Sequence, residues 1–416
     1  MKYNREKKVG VIMVVGIIGC GASGMAAAIT AAENPDNQII VFERHARAGR
    51  KLLATGNGRC NLTNINAGVD GYHGDDVSFA QNALSKFPPE ETIQWFRSLG
   101  LFTVTEASGR VYPYSDQANS VVDVLRFALD KPNILLKTGF DVSRVKRVND
   151  GFSVENNETS VLCDKLIVAC GGLAGTKLGG TMAGYKLLRS LGHSVTKLRP
   201  TLVQLKSSWR GVAALKGVRA VCHAEIFFNG VVKAQSTGEL QFTDYGLSGP
   251  VIFEISRDVG YEKGNWTCAL DFLPEYTMDN LRNELIKRKN SALLTEELLT
   301  GILHNRLGRV LVQATGISLN TKISQLDAND ISAVCTAVKN FDVSITEPMG
   351  MDCAQVTAGG VCTCEFNPET MESILVPGLF VCGEVLDIDG DCGGYNLQWA
   401  WSSGRLAGFC AGRLNI

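Results

Sequence analysis

The sequence lacks several features that would place the protein in a specialised class. No apolar run reaches the roughly 18 residues that a membrane-spanning helix needs. Basic and acidic side chains number 41 and 42, so the positive excess typical of nucleic-acid-binding proteins is missing. No Cys-x-x-Cys occurs among the 13 cysteines, and no two of the 5 histidines have metal-ligand spacing. We therefore expect no metal, no nucleic-acid partner and no membrane partner.

The remaining composition is that of an ordinary globular protein. A chain of 416 residues with 45% hydrophobic and 20% charged residues suits two or three domains. The cysteines are scattered, and we interpret them as small buried apolar residues in a reducing cytoplasm. Nothing in the sequence indicates an oligomeric state.

A glycine-rich turn is the most informative feature. The segment 19–24 follows an apolar stretch, Val9 to Ile18, and precedes the helix-forming run Met25 to Ala32. In a dinucleotide-binding unit the three glycines make the turn, admit a pyrophosphate and let the helix pack on the strand. A second strand, Gln38 to Phe42, ends in an acid at the distance suited to ribose hydroxyls. The pattern predicts a bound adenine dinucleotide, contacted by Gly19, Gly21, Ala22, Ser23, Gly24, Glu43 and Arg44.

The same segment permits a rival interpretation. Four basic residues precede the apolar run that ends at Cys20, as in an export signal with a lipidated cysteine: Lys2, Arg5, Lys7 and Lys8. Cleavage before Cys20 would remove the first strand of the βαβ unit. We therefore favour the dinucleotide interpretation, with Met13 as an alternative start.

Strands alternate with helices up to about residue 190, as a doubly wound α/β sheet requires. Further strands are predicted at Asn133 to Leu136 and Gly139 to Val148, followed by a hairpin through Phe152 to Cys163. A buried strand followed by a glycine turn is predicted at residues 165–172, and a second strand and glycine turn at residues 378–384 precede a final helix. The nucleotide domain is thus predicted to be discontinuous, with its first part before an insertion and its second part at the end of the chain.

The inserted segment has a different pattern of predicted strands and helices. Strands are expected at Leu202 to Leu205, Ala220 to Phe228 and Thr267 to Phe272, with turns at Asn229-Gly230 and Lys263-Gly264. Leucines and isoleucines then repeat at helical spacing and are predicted to form core: Leu281, Leu285, Ile286, Leu298, Leu299, Ile302 and Leu303. We expect a first part of the nucleotide domain at 1–194, an insertion at 195–350 (β-rich over 195–274, helical over 275–340), and a second part at 351–416.

Three later features favour FAD over NAD. The turn containing Ala169 and Gly171 suits the adenosine half of a flavin nucleotide. Gly383 and Glu384 offer an acid where the ribityl or pyrophosphate region would lie. The helix after Gly393 would direct the amides near Asn396 and Leu397 at the flavin ring, where they stabilise its anionic reduced form.

Three blocks carry a resemblance to a known family. Residues 49–64 (GRKLLATGNGRCNLTN), 357–361 (TAGGV) and 393–398 (GGYNLQ) resemble the bacterial YhiN/BaiN flavoproteins, a group that includes aminoacetone oxidase. The resemblance spans nearly the whole chain. It implies an α/β fold: a discontinuous Rossmann-like FAD-binding domain with an inserted β-barrel-like domain that carries a small helical subdomain.

The resemblance also implies site residues. The flavin would be approached by Gly58, Arg59, Cys60 and Asn61, and the 357–361 loop, with Gly359, would cover part of the isoalloxazine. Val142 would contact the adenine through its backbone. Two departures from the family pattern weaken any inference about substrate. Asp244 stands where the family often has histidine, and Gln204 stands where it tends to have proline.

Flavin chemistry needs an oriented substrate, a proton donor and charge stabilisation. The polar and aromatic segment 109–116 offers Arg110 to polarise a carbonyl, and the candidate proton donors are Tyr112, Tyr114 and Tyr245. Cys60 is interpreted as packing, because no resolving cysteine accompanies it. We recognise no Ser/His/Asp arrangement and no nucleophile elbow, so hydrolase chemistry is not expected.

The favoured function is an FAD-dependent, NAD(P)H-driven reduction of an activated C=C bond in an apolar substrate, and the resemblance to the YhiN/BaiN flavoproteins implies an oxo-bile-acid or steroid-like enone. Because a second Gly-x-Gly-x-x-Gly is absent, NAD(P)H would be a transient visitor or use a nonstandard site. The first alternative is an oxidase of a small amine such as aminoacetone, producing hydrogen peroxide. The second is a flavin-bearing RNA-modification or RNA-binding protein that uses the helical insertion.

Overall fold

The computed structural model describes residues 13–413, so the basic residues of the export interpretation and the start of its apolar run lie outside the described residues. The chain divides into two compact units. One contains the chain up to Arg199 and again from Val356, and the other contains Pro200–Gln355. Among residues 13–413, no helix combines the length and the apolar character needed to cross a membrane.

A five-stranded parallel sheet forms the centre of the first unit. In spatial order its strands are Leu379–Val381, Lys165–Val168, Met13–Ile18, Asn37–Glu43 and Ile134–Thr138. Four of the five are almost wholly buried, because helices and the antiparallel strands Gly151–Glu155 and Ser160–Cys163 pack on the sheet, and a covered parallel sheet reads as continuous apolar runs. The strand Leu379–Val381, from the second part of the unit, pairs with Lys165–Val168, from its first part, which confirms the predicted discontinuous nucleotide-binding fold.

Within the described residues 13–413, this unit has six α-helices: Ala22–Ala31, Ser78–Lys86, Pro89–Ser98, Ala118–Leu129, Ala183–Ser190 and Tyr395–Ala411. The first is the helix predicted after the glycine turn, and we call it the motif helix. The last is the helix predicted at the end of the chain, and we call it the C-terminal helix. Both are buried along most of their length because they pack on each other as well as near the sheet.

Small antiparallel sheets complete the first unit. Their members are Arg144–Val148 with Gly151–Glu155 and Ser160–Cys163; Thr63–Asn64 with Arg110–Pro113 and Thr103–Thr105; and Tyr72–His73 with Asp389–Gly390. The strand predicted from Gly139 begins only at Arg144. Gly139 has a φ of +71°, and its amide donates to the His45 carbonyl, so this stretch turns instead of extending.

The second unit contains a closed six-stranded barrel. Around the barrel the strands are Leu205–Ser207, Gly246–Ser248, Val231–Phe242, Arg219–Phe228, Trp266–Asp271 and Phe341–Pro348. The predicted Asn229-Gly230 turn joins the two longest strands with φ of +50° and +82°, values suited to a tight hairpin. The strand predicted at Leu202 is wrong in its start: Leu202 has a φ of +49°, which interrupts extended chain until Leu205.

The helical part of the insertion shares its core with the barrel. The α-helices of the unit are Pro250–Ile255, Met278–Arg288, Asn305–Ala314 and Ala328–Lys339. Leu281, Leu285, Leu298 and Leu299 are buried as expected, whereas Ile286 is 48% exposed and its predicted core role is wrong. The helix turns Leu281 and Leu285 inward and leaves Ile286 on the solvent side.

Short elements complete the chain. Strands Arg199–Thr201 and Val356–Ala358 occur where the chain passes between units. The 3-10 turns are Leu52–Gly58, Val69–Gly71, Thr176–Leu178, Arg210–Leu215, Thr295–Glu297, Ile323–Gln325 and Thr363–Glu365.

Candidate active site

Each glycine of the turn occupies its position for a different steric reason. Gly19 has a φ of +101° and donates its amide to the Phe42 carbonyl at 2.8 Å. A Cβ on Gly24 would lie 1.9 Å from the Gly19 carbonyl oxygen, so only glycine allows this approach of helix and strand. A Cβ on Gly21 would meet no protein atom within 4 Å. The open space therefore lies at the glycine whose backbone would approach a pyrophosphate.

The motif helix begins directly after Gly21, with no side-chain cap and no acidic residue in its first turn. The first intrahelical bond runs from Met25 to the Gly21 carbonyl, which leaves the amides of Ala22, Ser23 and Gly24 without helical partners. These amides and the helix dipole favour an anion at this end. Ala22 and Ser23 therefore lie where the sequence predicted phosphate contacts.

Glu43 ends the second strand with its side chain buried. Its carboxylate accepts the Cys20 amide at 3.0 Å and the His45 amide at 2.9 Å. A carboxylate has about four acceptor positions, so it retains capacity for a ribose hydroxyl. The neighbouring Arg44 side chain donates to the Gly179 carbonyl at 2.6 Å and is therefore committed to the protein.

Val142 is buried beside this end of the sheet. It follows Phe140, whose amide donates to the Glu43 carbonyl at 2.9 Å and whose ring packs on Phe42. The backbone at Val142 is thereby held near the acid, as an adenine contact would require.

A second polar cluster surrounds Glu384. The Lys51 ammonium donates to this carboxylate at 2.7 Å, and the Thr357 amide donates to its other oxygen at 2.9 Å. The Ala174 amide donates to the Thr357 hydroxyl at 2.8 Å. The predicted turn after Ala169 contributes Gly172, where a Cβ would lie 2.3 Å from the Glu384 carboxylate. The acid and the glycine turn therefore meet.

Gly383 connects this cluster to the motif helix. A Cβ on Gly383 would lie 2.5 Å from the Ser23 hydroxyl, and the Gly383 amide donates to the Ser403 hydroxyl at 3.0 Å. Glu384 therefore lies beside the helix end that favours a phosphate. Gly171, at φ of +69°, faces open space in the same region.

Hydrogen bonds join residues 62–64 to the first half of the C-terminal helix and to a glycine before it. The Asn64 side chain donates to the Gly393 carbonyl at 3.1 Å, and the Thr63 hydroxyl donates to Gln398 at 2.6 Å. The Trp401 indole donates to the Leu62 carbonyl at 2.9 Å. Sequence blocks more than 300 residues apart thus share one location.

Just before these residues, Gly58 faces open space at φ of +87°. The Asn61 side-chain oxygen is buried without a hydrogen-bond partner among the described residues. Burial raises the pKa of the Cys60 thiol to about 11, despite an opposing hydrogen bond with Thr55. Cys60 is therefore a neutral packing thiol at neutral pH. Arg59 turns its side chain away to Glu106 and Asp116.

The C-terminal helix begins at Tyr395, after two glycines with φ of +109°. The Asn396 side chain accepts the Gly390 amide at 2.8 Å and donates to the Gly390 carbonyl at 2.6 Å, which closes the preceding loop. The amides of Tyr395, Asn396 and Leu397 precede the first intrahelical bond and have no helical acceptor. They form a second positive helix end in this unit.

Gly359 belongs to a loop that requires a glycine. Its φ is +83°, and a Cβ would lie 2.4 Å from the Lys197 carbonyl oxygen. Thr196 and Gly360 exchange hydrogen bonds alongside it, at 2.8 Å and 2.9 Å. The loop is thus held by the segment 196–197.

These features form a cradle that fits FAD. Three glycines, Gly21, Gly58 and Gly171, face open space. Two helix N-termini, the buried Glu43, the partly buried Glu384 and the unpartnered Asn61 oxygen supply polar contacts for phosphate, ribose and an isoalloxazine ring.

Two candidate catalytic residues lie together on the strand Arg110–Pro113. Tyr112 is 6% exposed. A Cβ on Gly393 would lie 2.8 Å from the Arg110 guanidinium, so Arg110 reaches the start of the C-terminal helix. Burial raises the pKa of Tyr112 most strongly, with Arg110 opposing the increase, so its phenol is protonated at neutral pH.

The other two candidate proton donors, Tyr114 and Tyr245, lie in different surroundings from Tyr112. Tyr114 is 76% exposed and faces solvent. Tyr245 lies in the second unit, in a turn where the Thr243 hydroxyl accepts the Gly246 amide at 3.0 Å. Burial raises the pKa of Tyr245, and Cys353 adds to the increase. Its role as a proton donor stays a prediction.

The structure also shows an arrangement that sequence reasoning missed. His193 lies between Glu365, at 2.8 Å, and the Ser373 hydroxyl, at 3.1 Å, and stacks on Phe366. The His193 side chain is fully buried, and the Ser373 hydroxyl already accepts the Val376 amide at 2.8 Å. This Ser-His-Glu chain is therefore structural. In residues 13–413 no group of His, Cys, Asp and Glu could hold a metal ion.

Other site residues were also missed. Lys51 lies in the block 49–64 but was not singled out, because a lone lysine carries no signal without its distant partner Glu384. Asp387 and Asp389 are buried between Glu384 and the C-terminal helix. Their alternating acidic pattern with Asp391 was a signal that could have been found.

The fold and this cradle define a Rossmann-type, FAD-dependent oxidoreductase. The chain belongs to the HI0933-like protein family, whose Rossmann-domain model matches residues 13–410.

Individual relatives are similar along nearly their whole length. The chain is 41% identical over 403 residues to the 3-dehydro-bile acid delta(4,6)-reductase of Clostridium scindens, covering 95% of this chain and 98% of that protein. It is 31% identical over 392 residues to the ribosomal RNA dihydrouridine synthase of Escherichia coli strain K12, covering 93% and 95%. The open conformation of a flavocytochrome c3 fumarate reductase superposes with a TM-score of 0.47 at 16% identity, covering 96% of this chain and 78% of that one.

Proposed function

We propose that the protein reduces a carbon–carbon double bond conjugated to a carbonyl group, in an oxo-bile-acid or steroid-like enone. The observation that carries this proposal is the 41% identity, over 95% of the chain, to a 3-dehydro-bile acid delta(4,6)-reductase. That substrate name describes double bonds conjugated to a 3-oxo group. Hydride addition to such a system occurs at the far carbon, and the carbon next to the carbonyl then takes a proton.

The cradle residues have the following proposed roles. The amides of Ala22, Ser23 and Gly24 bind the pyrophosphate, Glu43 binds the adenosine ribose, and Glu384 binds the ribityl region. Their support is the geometry of the two helix ends and the acceptor capacity of the Glu43 and Glu384 carboxylates.

On the flavin side, Asn61, Gly359 and the amides at Asn396 and Leu397 surround the ring system. The Asn61 oxygen supports this assignment, because it is buried and lacks a partner among the described residues. Bound FAD, once reduced, would supply the hydride. NAD(P)H is the proposed reductant, and it reaches the same cavity transiently.

Two side chains complete the reaction. Arg110 polarises the substrate carbonyl, since its guanidinium carries a permanent charge at the start of the C-terminal helix. Tyr112 donates the proton to the carbon next to the carbonyl, because its phenol is kept protonated by burial. Both side chains lie on one short strand, which fixes their relative position.

A substrate comparison tests the proposal. The FAD-loaded protein is reduced anaerobically with NADH or NADPH and then mixed with a conjugated 3-oxo-steroid, its saturated analogue or oxygen. In a separate reaction the oxidised protein is mixed with aminoacetone in air. We expect rapid reoxidation by the enone only, with one equivalent of saturated product. Peroxide formation with aminoacetone and no reoxidation by the enone would instead establish an amine oxidase.

A second candidate shares the same chemistry. The 31% identity to a ribosomal RNA dihydrouridine synthase favours a uracil substrate, whose C5=C6 bond is also conjugated to a carbonyl. The charge of −1 and the nearly equal acidic and basic side chains of the helical insertion weigh against a large RNA partner. Reoxidation by unmodified ribosomal RNA, with dihydrouridine formed, would establish this candidate over the enone.

A further inference from the structure

The guanidinium of Arg59 lies over the ring of Tyr112. Its guanidinium carbon is 3.8 Å from the ring centroid, a distance typical of a cation–π contact. Arg59 therefore contacts the proposed proton donor directly, although the sequence placed it against the flavin.

Two carboxylates hold the guanidinium in place. The Arg59 side chain donates to Glu106 at 3.0 Å and to Asp116 through its Nε. Glu106 lies in the turn before the strand that carries Tyr112, and Asp116 lies just after that strand. The Glu106 amide is fixed to the Arg110 carbonyl at 2.8 Å, and the Asp116 amide to the Pro113 carbonyl at 2.9 Å.

We propose that Glu106, Asp116 and Arg59 form a clamp that positions the Tyr112 phenol and sets its electrostatic surroundings during proton transfer. Arg59 is a positioning residue here, because it acts through Tyr112. The proposal rests on the proposed function, in which Tyr112 is the proton donor. A planar, permanently charged guanidinium suits this role, since it can stack on a ring while binding two carboxylates.

The charges around Tyr112 oppose one another. Burial raises the pKa of Tyr112, Arg110 and Arg59 lower it, and Glu106 and Cys392 raise it. Arg59 and Glu106 thus act in opposite directions on the phenol although they are bonded to each other. Loss of either residue breaks the same ion pair, but the two losses have opposite electrostatic consequences.

Because Arg59 and Glu106 shift the pKa of Tyr112 in opposite directions, variants of the two residues can be compared directly. Arg59→Gln and Glu106→Gln are compared with wild type by two measurements: the alkaline limb of the pH profile of kcat, and an ultraviolet titration of phenolate referenced to Tyr112→Phe. We expect Arg59→Gln to move the limb and the titration upward and Glu106→Gln to move them downward, each by about half to one pH unit. Arg59→Lys restores the charge and should return the titration toward wild type.

The outcomes test the clamp and the proton-donor role of Tyr112 separately. Shifts in the same direction for both glutamine variants, or no shift in either, would overturn the clamp, because a merely structural ion pair predicts equal effects. Unchanged turnover in Tyr112→Phe would overturn the proton-donor role. The phenolate titration needs no substrate, so it tests the clamp whichever result the turnover measurement gives. Thermal unfolding of each variant identifies any that fails to fold, and Arg59→Met, which also removes the charge, then substitutes for Arg59→Gln.

Discussion

Gly404 packs directly against the backbone of Ser23. A Cβ on Gly404 would lie 2.4 Å from the Ser23 carbonyl oxygen, and one turn later a Cβ on Gly408 would lie 2.3 Å from the Ala27 carbonyl oxygen. Two glycines four residues apart therefore let the C-terminal helix approach the motif helix at backbone distance. The contact joins the two ends of the chain at the helix that the sequence predicted to bind a dinucleotide.

Gly408→Ala should destabilise the protein. Alanine favours a helix over glycine by about 1 kcal/mol, but a methyl group forced onto a backbone carbonyl costs about 1–3 kcal/mol or more. We expect a net loss of stability, a lower Tm and faster loss of FAD. Gly68→Ala is the control, since its Cβ would meet nothing closer than 4.0 Å. A Gly408→Ala protein as stable as wild type would contradict the close packing.

Gly21→Ala should separate cofactor binding from folding. The new methyl group would meet no protein atom within 4 Å, and the φ of −88° suits alanine. We therefore expect normal thermal unfolding of the FAD-free protein, with FAD affinity reduced at least about tenfold because the methyl group occupies the pyrophosphate path. Gly24→Ala, with its 1.9 Å clash, should instead fail to fold stably. Normal FAD affinity in Gly21→Ala would place the phosphates elsewhere.

Glu384→Gln should weaken FAD binding while the fold persists. The amide oxygen can still accept from Thr357, but the charge opposite Lys51 is lost. A charge-assisted hydrogen bond exceeds a neutral one by roughly 1 kcal/mol, and the pair is partly exposed, so we expect about a threefold to tenfold loss of affinity by fluorescence titration. Glu347→Gln removes a similar 2.7 Å ion pair, with Lys206, in the other unit. An equal effect of both variants would exclude a specific role for Glu384.

Local signals in the sequence were sufficient for most of the fold. The glycine turn, the buried strands and the Asn229-Gly230 hairpin each leave a short-range pattern, and each occurs as predicted. The strand Val231–Phe242 was missed because its first half is mostly exposed and mixes valines with polar residues, so it lacks the alternation of a half-buried strand. The late start of the strand predicted from Leu202 depends on a positive φ at a leucine, which sequence cannot signal.

The candidate site was less accessible to sequence reasoning. The glycines could be placed because their motif has a known spacing, whereas the Lys51–Glu384 pair joins residues 333 positions apart. The side chain of Arg59 was assigned by resemblance, and its two carboxylate partners lie in turns that carry no motif. Long-range pairing is set by tertiary packing, so only the structure reveals it.

Glu365 should make the stability of the first unit depend on pH. Burial would raise its pKa, but hydrogen bonds from Ser194 and His193 outweigh burial and lower the pKa below the ordinary value of 4.5. The folded state then binds this proton less tightly than the unfolded state. The stabilisation is complete above the ordinary value and is lost as pH falls below it.

Urea unfolding at a series of pH values between about 3 and 6 checks this expectation. Glu365→Gln should show a smaller fall in stability over this range than wild type. Glu155→Gln is the comparison, because Glu155 also has a lowered pKa, from its hydrogen bond with Lys146, but that lysine is 42% exposed whereas the His193 side chain is fully buried. Identical slopes for wild type and Glu365→Gln would show that the buried Glu365–His193 pair contributes nothing in acid.

Tyr112→Phe should slow product formation while flavin reduction continues. The ring and its contact with Arg59 remain, so the variant lacks only the hydroxyl group that would donate the proton. Loss of a general acid costs roughly 10²–10⁴-fold in rate. Tyr114→Phe is the matched control two residues away, since its side chain is 76% exposed and should leave turnover unchanged. Stopped-flow reoxidation by an enone separates the two half-reactions. Slower flavin reduction with unchanged reoxidation would exclude Tyr112 as the donor and would make Tyr245→Phe the next variant to measure.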